Sequence, residues 1–206
     1  MTATDDTRRR GELLDATYGR VLEHGWAGTS LRALGEAVGA DPQALLDRFG
    51  TAEGLVSALL ARSRTDQLRV LDALPDDAGL ARAGEVLWTW LAAAEHRPLL
   101  RLWLEAYSRS LGAEPDAEAG AWAGFAREAV TDWDLLLAAH QPSHRVSTPD
   151  GTAERTLLLA VLRGALLDLL ATGDAERAGA AVAVHLRALR DRTGGEGAGG
   201  RDRDGE

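Results

Sequence analysis

Cysteine is absent from this sequence, which leaves histidine as the residue type best suited to metal binding or to proton transfer. An imidazole ring can bind a metal ion or move a proton near neutral pH. His140 and His144 have the spacing that would put two ligands on one face of a helix, but Pro142 between them disfavours a continuous helix. The other histidines are His24, His96 and His185. We therefore expect no metal site.

The sequence motifs of catalysis are also missing. There is no glycine-rich phosphate loop, no nucleophile elbow and no Glu-x-x-His motif. Without cysteine there is no thiol nucleophile, no Cys-based zinc or iron–sulfur site and no disulfide framework. We therefore expect a binding protein with no catalytic residues and no cofactor, not an enzyme.

The charge of the chain is unevenly distributed. All 23 basic residues are arginines, and 32 acidic residues give a net charge of −9, of which residues 1–64 carry −1 and residues 65–206 carry −8. Any contact with a polyanionic nucleic acid would therefore lie in the near-neutral N-terminal part. No apolar stretch reaches the ~20 residues that cross a membrane, and none stands at the start, so a cytoplasmic location is expected.

Helical periodicity dominates, and alternating runs of β-branched residues are missing, which predicts an all-α protein. Glycine, proline and capping residues divide the sequence into about nine helices. Their expected ranges are 7–24, 31–38, 42–49, 52–74, 80–96, 98–111, 117–140, 152–172 and 175–192. The last residues, 194–206, are mostly glycine and charged residues with no large apolar side chain to bury, and they are expected to be disordered.

The stretch TSLRALGEAVGADPQALLDRFGTAEGL, residues 29–55, predicts two short helices, a tight turn and the start of a third helix. Gly39 ends the first helix, Asp41 caps the second, and Pro42 occupies its first position, with Leu45 and Phe49 facing the core. This arrangement is typical of a helix-turn-helix, whose second helix enters the DNA major groove. Short helices joined by glycine also occur in other all-α domains.

The wider context, EHGWAGTSL before the turn and RFGTAEGLVSALL after it, resembles the TetR family of one-component transcriptional regulators. The matching residues are Gly25, Thr29, Ser30, Leu34, Gly39, Leu45, Phe49, Gly50, Thr51, Glu53 and Leu55. The resemblance implies a helix-turn-helix DNA-binding domain at residues 1–50 and a helical effector-binding and dimerisation domain at 51–193. It also implies a homodimeric repressor that a small apolar or aromatic effector releases from a pseudo-palindromic operator in double-stranded DNA.

The resemblance also assigns the DNA contacts. It implies that Thr29 and Ser30 contact phosphates and that Arg32 reaches a base edge, where a bidentate bond to guanine contributes about 1–3 kcal/mol. Gln43 can bond an adenine edge, and Arg48 a phosphate. The expected DNA-binding residues are Thr29, Ser30, Arg32, Pro42, Gln43, Ala44, Leu46, Asp47, Arg48 and Thr51.

Two residues depart from the family pattern. Leu46 stands where the family usually has a phosphate-binding tyrosine, and Ala52 where it usually has a lysine. Asp41 and Asp47 lie near the expected path of the phosphates, so we expect a weak electrostatic component and a shallow salt dependence. Arg8–Arg10 could grip the DNA as an arm or form a solvated terminus. The alternative function is a helical ligand-binding dimer with a degenerate head that no longer binds an operator.

Aromatic residues on three successive predicted helices suggest an effector pocket. Aromatic side chains at helical spacing are more often core than ligand contacts, but their number here in one region is unusual, and the resemblance implies a pocket among these helices. The expected pocket residues are Trp88, Trp103, Tyr107, Trp122, Phe125 and Trp133, with Arg101 and Glu105 as polar groups.

The predicted helix at residues 152–172 is apolar nearly all the way round between Leu157 and Leu170, so it must be covered on two sides. Its own domain covers one side, and a partner subunit is the expected source of the other, in a four-helix interface about a two-fold axis. Burial inside one chain is the alternative. The expected interface residues are Leu158, Leu162, Ala165, Leu166, Leu169, Val182, Leu186 and Leu189.

Overall fold

The structure is a computed structural model that describes residues 3–25, 30–71, 74–75, 78–112 and 122–198. Within these ranges the regular structure is entirely helical, with ten α-helices, which confirms the all-α prediction. The helices are α1 Ala3–His24, α2 Leu31–Val38, α3 Pro42–Phe49, α4 Ala52–Leu68, α5 Leu80–Ala92, α6 Arg97–Leu111, α7 Phe125–Ala138, α8 Ser143–Val146, α9 Pro149–Thr172 and α10 Ala175–Ala198. One-turn 3-10 helices lie at Arg69–Leu71 and Ala94–His96.

The chain forms two compact units. The first comprises Met1–Gln67 and Arg97–Val130, and the second comprises Leu68–His96 and Thr131–Glu206. This division by packing differs from the functional limits expected at residues 50 and 193, which remain a prediction.

The first unit is built on the helix-turn-helix. Helix α1 packs on α2 and α6, and α2 packs on α3. The side chains at the centre of these helices, Val21, Leu34 and Leu45, are fully buried. Tyr18 is buried as well, and burial is the main cause that raises the pKa of its hydroxyl, with the Asp66 carboxylate adding to the shift.

The second unit is a three-helix layer in which α5 packs on α9 and α10, and α9 packs on α10. Gly84 on α5 allows this close approach. A Cβ atom added there would lie 2.6 Å from Leu186 Cδ2 and 3.0 Å from Leu158 Cδ1.

A buried arginine holds the short helix α8 and its flanking loops to α7 and α9. Arg155 donates to both carboxylate oxygens of Asp134, at 2.8 and 3.4 Å, and to the Val146 carbonyl oxygen at 3.0 Å. It also donates to Gln141 Oε1, and Gln141 Nε2 donates to the Gly151 carbonyl oxygen at 3.1 Å. Helix α8 and the acceptors Gln141 and Val146 lie in a segment that the sequence pattern predicted as a loop, whereas Asp134 and Arg155 lie in predicted helices.

Several helix ends differ from the predicted ones. Helix α1 begins at Ala3 instead of Thr7, and α9 begins at Pro149 because Thr148 caps it by accepting from the Gly151 N–H at 3.0 Å. Helix α4 ends at Leu68 and α5 at Ala92, each earlier than expected.

The end of α5 has a local cause. The His96 Nδ1–H donates to the Trp90 carbonyl oxygen at 2.8 Å, and the two rings stack with their centroids 4.4 Å apart. These contacts favour a 3-10 turn over a further turn of α-helix. Helix α7 was predicted to begin at residue 117. That residue lies outside the described residues, and α7 is described from Phe125.

Helix α10 continues to Ala198, six residues past the predicted end at Arg192, and so enters the segment that was expected to be disordered. A glycine costs a helix about 1 kcal/mol relative to alanine but does not forbid it. Residues 199–206 lie outside the described residues.

Candidate nucleic-acid interface and ligand region

The turn between α2 and α3 depends on two glycines. Gly39 ends α2 in the left-handed region, with φ +67°, which favours glycine. Gly35 allows the backbone after the turn to approach α2, because a Cβ atom there would lie only 2.6 Å from the Ala40 carbonyl oxygen. The Ala40 N–H donates to the Gly35 carbonyl oxygen at 2.9 Å. These contacts fix the position of α3 relative to α2.

The N-termini of both short helices are capped by side chains, and the cap at Asp41 confirms the prediction. Ser30 Oγ accepts from the Ala33 N–H at 3.1 Å, and Asp41 Oδ1 accepts from the Gln43 N–H at 2.7 Å. Pro42 occupies the first position of α3, where no backbone N–H is needed. Thr29, the other predicted phosphate contact at the start of α2, lies outside the described residues.

Helix α3 has one buried face and one outward face. Leu45 and Phe49 are buried, which confirms that part of the prediction. The side chains expected to meet DNA lie on the rest of the surface: Gln43 and Asp47 are exposed, and Pro42, Ala44, Leu46 and Arg48 are half-buried. The outward surface of α3 therefore consists of half-buried side chains together with the exposed polar side chains of Gln43 and Asp47.

Three of the candidate DNA contacts, Arg32, Gln43 and Arg48, are already bound to a carboxylate of the same chain. Arg32 Nε donates to Glu36 Oε1 at 2.9 Å, Gln43 Nε2 donates to Asp47 Oδ1 at 3.0 Å, and Arg48 pairs with Asp6. Arg32 and Glu36 are 82% and 66% exposed, so their ion pair contributes only about 0–1 kcal/mol. A DNA ligand can replace such a partner at little cost.

Sequence spacing could have identified two of these pairs. Arg32 with Glu36 and Gln43 with Asp47 are four residues apart on a helix, where side chains meet. Asp6 pairs with Arg48 from the first turn of α1. The two residues are too far apart in sequence for a local pattern to predict the pair.

Arg8–Arg10 lie within α1, and all three are exposed. Arg8 pairs with Asp5 and Glu12, at 3.6 and 2.7 Å. Arg10 lies across the C-terminal end of α3: its Nε donates to the Arg48 carbonyl oxygen at 3.3 Å, and its guanidinium is 4.9 Å from the centre of the Phe49 ring. Arg10 therefore supports α3 as a structural contact.

The junction between α3 and α4 is equally tight. Thr51 Oγ1 accepts from the Gly54 N–H at 2.9 Å and caps α4, while Gly50 takes a positive φ of +78°. A Cβ atom on Gly54 would lie 2.1 Å from the Phe49 carbonyl oxygen, so no side chain fits there without a backbone shift. The last turn of α3 and the first turn of α4 thus form one packed corner.

Four of the predicted pocket aromatics come together in the first unit. Trp103 and Phe125 are buried with Val56 and Leu60 of α4, and Tyr107 and Trp122 pack against them. The Trp103 and Tyr107 rings lie 4.9 Å apart. Sequence reasoning did not identify the contribution of α4 to this aromatic cluster.

A polar pair lies at the edge of the aromatic cluster. Arg109 Nη2 donates to Glu105 Oε1 at 2.8 Å, and its guanidinium is 5.0 Å from the centre of the Trp122 ring. Glu105 was a predicted pocket residue, whereas Arg109 was not; its spacing of four residues from Glu105 is the signal that could have found it. The predicted Arg101 is exposed on α6.

The two other predicted pocket aromatics belong to the second unit. Trp133 is buried there, and Trp88 is half-buried beside α10, next to Gly179. The six aromatics expected in one pocket are therefore divided between two packing units, because neighbouring helices in sequence need not share a core.

The residues expected at a dimer interface are core residues of the chain itself. Leu158, Leu162, Leu166, Leu169, Val182, Leu186 and Leu189 are no more than 4% exposed, and Ala165 is half-buried. This departs from the expectation, because the side of α9 that these leucines form is covered by α5 and α10 of the same chain. The large apolar side chains exposed on the described parts of α9 and α10 are Leu157, Leu167 and Val184, at 48%, 49% and 59%.

Neither a family model nor a curated protein sequence matches the chain. Solved structures do match it. A member of the TetR family from Streptomyces coelicolor A3 has a TM-score of 0.65 and 24% identity, over 88% of this chain and 97% of that chain. A TetR transcription regulator from Haloarcula marismortui has a TM-score of 0.68 and 21% identity, over 89% and 98%. The chain has the TetR-family fold.

The multidrug binding protein EbrR, solved in complex with proflavin, is also similar to this TetR-like chain. Its TM-score is 0.63 and its identity 26%, over 87% of this chain and 98% of that chain. EbrR has also been solved in complex with imidazole. The likeness to these structures extends over both packing units.

The histidines of the TetR-like chain do not form a metal site: within the described ranges, no three His, Asp or Glu side chains converge on one point. His140 is buried, and its Nδ1–H donates to the Pro75 carbonyl oxygen at 2.9 Å. Burial, with the positive charge of Arg192, lowers the pKa of His185. Among the described helices, none is long and apolar enough to cross a membrane.

Proposed function

We propose that this chain is a homodimeric, DNA-binding transcriptional repressor that a small apolar or aromatic molecule releases from its operator. The observation that carries this proposal is the fixed α2–turn–α3 geometry, which buries Leu45 and Phe49 and leaves the opposite surface of α3 outward. In helix-turn-helix proteins that surface enters the major groove. The TetR-family fold supports the same reading.

Arg32 is the proposed base-reading residue. On DNA its guanidinium would exchange the Glu36 carboxylate for a guanine edge. A bidentate arginine–guanine contact contributes about 1–3 kcal/mol, while the exposed pair that it replaces contributes about 0–1 kcal/mol. The exchange is therefore favourable at a matching base pair and unfavourable elsewhere, which would make Glu36 a contributor to specificity.

Replacing Arg32 with alanine should weaken specific binding about 5- to 150-fold and weaken non-specific binding much less, because the base contact is lost only at a matching site. Replacing Glu36 with glutamine should strengthen binding to every duplex, because it removes a negative charge and frees Arg32. The operator would first be selected from a random duplex library with the full chain. Fluorescence anisotropy of the selected and a scrambled duplex, at two salt concentrations, would then measure both variants.

Equal affinity for the selected and scrambled duplexes, or equal losses on both in Arg32→Ala, would contradict the base-reading role. Failure to enrich any duplex at low salt would favour the alternative, a ligand-binding dimer with a degenerate head. The carboxylate partners of Arg32, Gln43 and Arg48 give that alternative its support.

The effector is proposed to bind at the aromatic cluster of Trp103, Tyr107, Trp122 and Phe125. This cluster packs on Val56 and Leu60 of α4, and α4 joins α3 through the tight corner at Gly54. A molecule that displaces α4 would therefore move α3. It releases DNA only if it binds the displaced arrangement more tightly. Because EbrR was solved with proflavin, that compound is the first to add to the anisotropy assay.

The dimer is proposed to form through the outer faces of α9 and α10, where Leu157, Leu167 and Val184 are exposed. Gly164 lies on the same outer side of α9, and a Cβ atom there would meet nothing within 4 Å in this chain. Apolar side chains on two adjacent helices, with a small residue between them, suit a four-helix contact about a two-fold axis.

Replacing Leu167 with glutamate should convert the dimer into monomers, because it buries two like charges near a two-fold axis. Light scattering after size-exclusion chromatography measures the mass directly. Leu135→Glu, at a 63% exposed leucine on α7, is the matched control and should leave the mass unchanged. A dimeric Leu167→Glu variant would place the interface elsewhere.

A further inference from the structure

A groove of about 570 Å³ lies between α5 and α10, within the second packing unit. Its apolar wall includes Trp88, Val182, Ala183 and Leu186. Its volume is in the range of small-molecule sites, about 300–1,000 Å³. The groove is separate from the aromatic cluster of the first unit, which the proposed function uses.

The rim of the groove is positively charged. Three arginines and one carboxylate line it, in a chain whose net charge is −9. Glu85 is shared between two of these arginines: its Oε2 accepts from Arg82 at 3.0 Å, and its Oε1 pairs with Arg190. One carboxylate therefore orients two guanidinium groups and leaves the rim with a net positive charge.

The third arginine, Arg187, is exposed and has no ion pair or hydrogen bond with any residue in the described part of the chain. It lies three residues before Arg190, on the same side of α10. Its guanidinium can form a bidentate pair with a carboxylate that comes from a ligand.

The indole N–H of Trp88 is likewise free of a partner among the described residues. Gly179 keeps the space beside it open, since a Cβ atom at residue 179 would lie 3.3 Å from Trp88 Nε1. The groove thus offers an aromatic surface, one neutral donor and one unpaired guanidinium.

We propose that this groove binds a small organic anion that combines a carboxylate with an aromatic or alkyl body. The carboxylate would pair with Arg187 and accept from the Trp88 N–H, and the apolar body would lie against Trp88 and Ala183. The positive rim selects the anion, and the apolar wall selects against inorganic anions and small polar acids. The site is independent of DNA binding and of the aromatic cluster.

The test uses the full chain with 2-naphthoate as the probe, followed by dodecanoate to represent an alkyl body. Calorimetry measures the affinity, and the six tryptophan indole N–H signals in a ¹H–¹⁵N spectrum locate the ligand, with Trp88→Phe assigning the signal of Trp88. The neutral analogue 2-naphthylmethanol, acetate and inorganic phosphate serve as comparison compounds. We expect saturable binding of at least one of the two carboxylates with a shift of the Trp88 signal, and little binding of the comparison compounds.

Arg187→Gln should weaken this binding about tenfold or more, because it removes the charge-assisted contact. Gly179→Met should abolish it by filling the groove, and methionine is a good helix former, so the variant should fold. Arg177→Gln is the matched control on the same helix, because Arg177 pairs with Asp168 at 2.6 Å and does not line the groove. Its affinity should equal that of the unmodified chain.

Four results would overturn the proposal. One is no binding of either carboxylate, and another is binding that Arg187→Gln leaves unchanged or that shifts other indole signals instead of that of Trp88. The third is a change of oligomeric mass in Arg187→Gln, which would make the groove a contact between copies of the chain. An acidic peptide that binds where both carboxylates fail would likewise identify a protein-docking surface instead. None of these measurements involves DNA, so failure here leaves the proposed DNA binding and effector site untouched.

Discussion

Replacing Arg155 with alanine is expected to lower the free energy of unfolding by about 3–5 kcal/mol. The side chain of Arg155 is only 5% exposed, and it satisfies Asp134, Gln141 and the Val146 carbonyl at once. Removing the guanidinium leaves these acceptors without their donor. Because Asp134 is 34% exposed and water can reach part of its carboxylate, the loss should fall at the lower end of that range.

Urea unfolding followed by circular dichroism measures this change. Arg177→Ala is the control, because Arg177 forms an ion pair at the surface of the same unit, and its removal should change the stability little. The double variant Arg155→Met with Asp134→Leu should recover part of the stability, since it removes both charges together. An unfolding midpoint for Arg155→Ala equal to that of the control would show that the network does not hold α7, α8 and α9 together.

Replacing Gly35 with alanine is expected to destabilise the first unit by about 1–3 kcal/mol, the usual cost of overpacking. The added methyl group would meet the Ala40 carbonyl oxygen at 2.6 Å, and a backbone atom held by the turn cannot rotate away as a side chain can. The turn must open, so α3 must move relative to α2. Specific DNA binding should therefore fall by more than the stability loss alone would cause.

Gly19→Ala provides the matched control, a glycine-to-alanine change in the same unit. A Cβ atom on Gly19 of α1 meets nothing within 4 Å, so this variant should gain about 0.4–1 kcal/mol from the lower entropy of its unfolded state. Urea unfolding of both variants and anisotropy on the selected operator test the comparison. Equal stability of the two variants would contradict the close approach at the turn.

The helix-turn-helix was predictable because its signals are local. Ser30, Asp41 and Pro42 mark helix starts, Gly39 marks an end, and each acts through its own backbone or that of a near neighbour. The inward positions of Leu45 and Phe49 followed from helical spacing alone. These features require no knowledge of the rest of the chain.

The faces of α9 and α10 could not be assigned from sequence. The apolar pattern of residues 157–170 indicates that α9 is covered on more than one side, but it does not indicate which side its own chain covers. Leu158 and Leu162 face α5 and α10, whereas Leu157 and Leu167 do not. The same limit applies to Trp88 and Trp103, which are near in sequence but pack in different units.

The contacts that set the charge of the proposed reading surface were predictable only in part. Arg32–Glu36 follows from helix spacing, but Arg48–Asp6 depends on how α1 crosses α3. A tertiary contact of this kind depends on the packing of the buried side chains of α1, such as Tyr18 and Val21, and no local sequence motif predicts it.

The tight corner at Gly54 couples α3 to α4, so a tilt of α4 displaces α3 by an amount that grows with distance from the corner. Helix α3 has eight residues and is therefore about 12 Å long. A tilt of α4 by about 10° would carry the far end of α3 by about 2 Å, which is more than half of the 3.4 Å rise between base pairs. A displacement too small to disturb the hydrophobic core would thus be enough to misalign a side chain with the base pair that it reads.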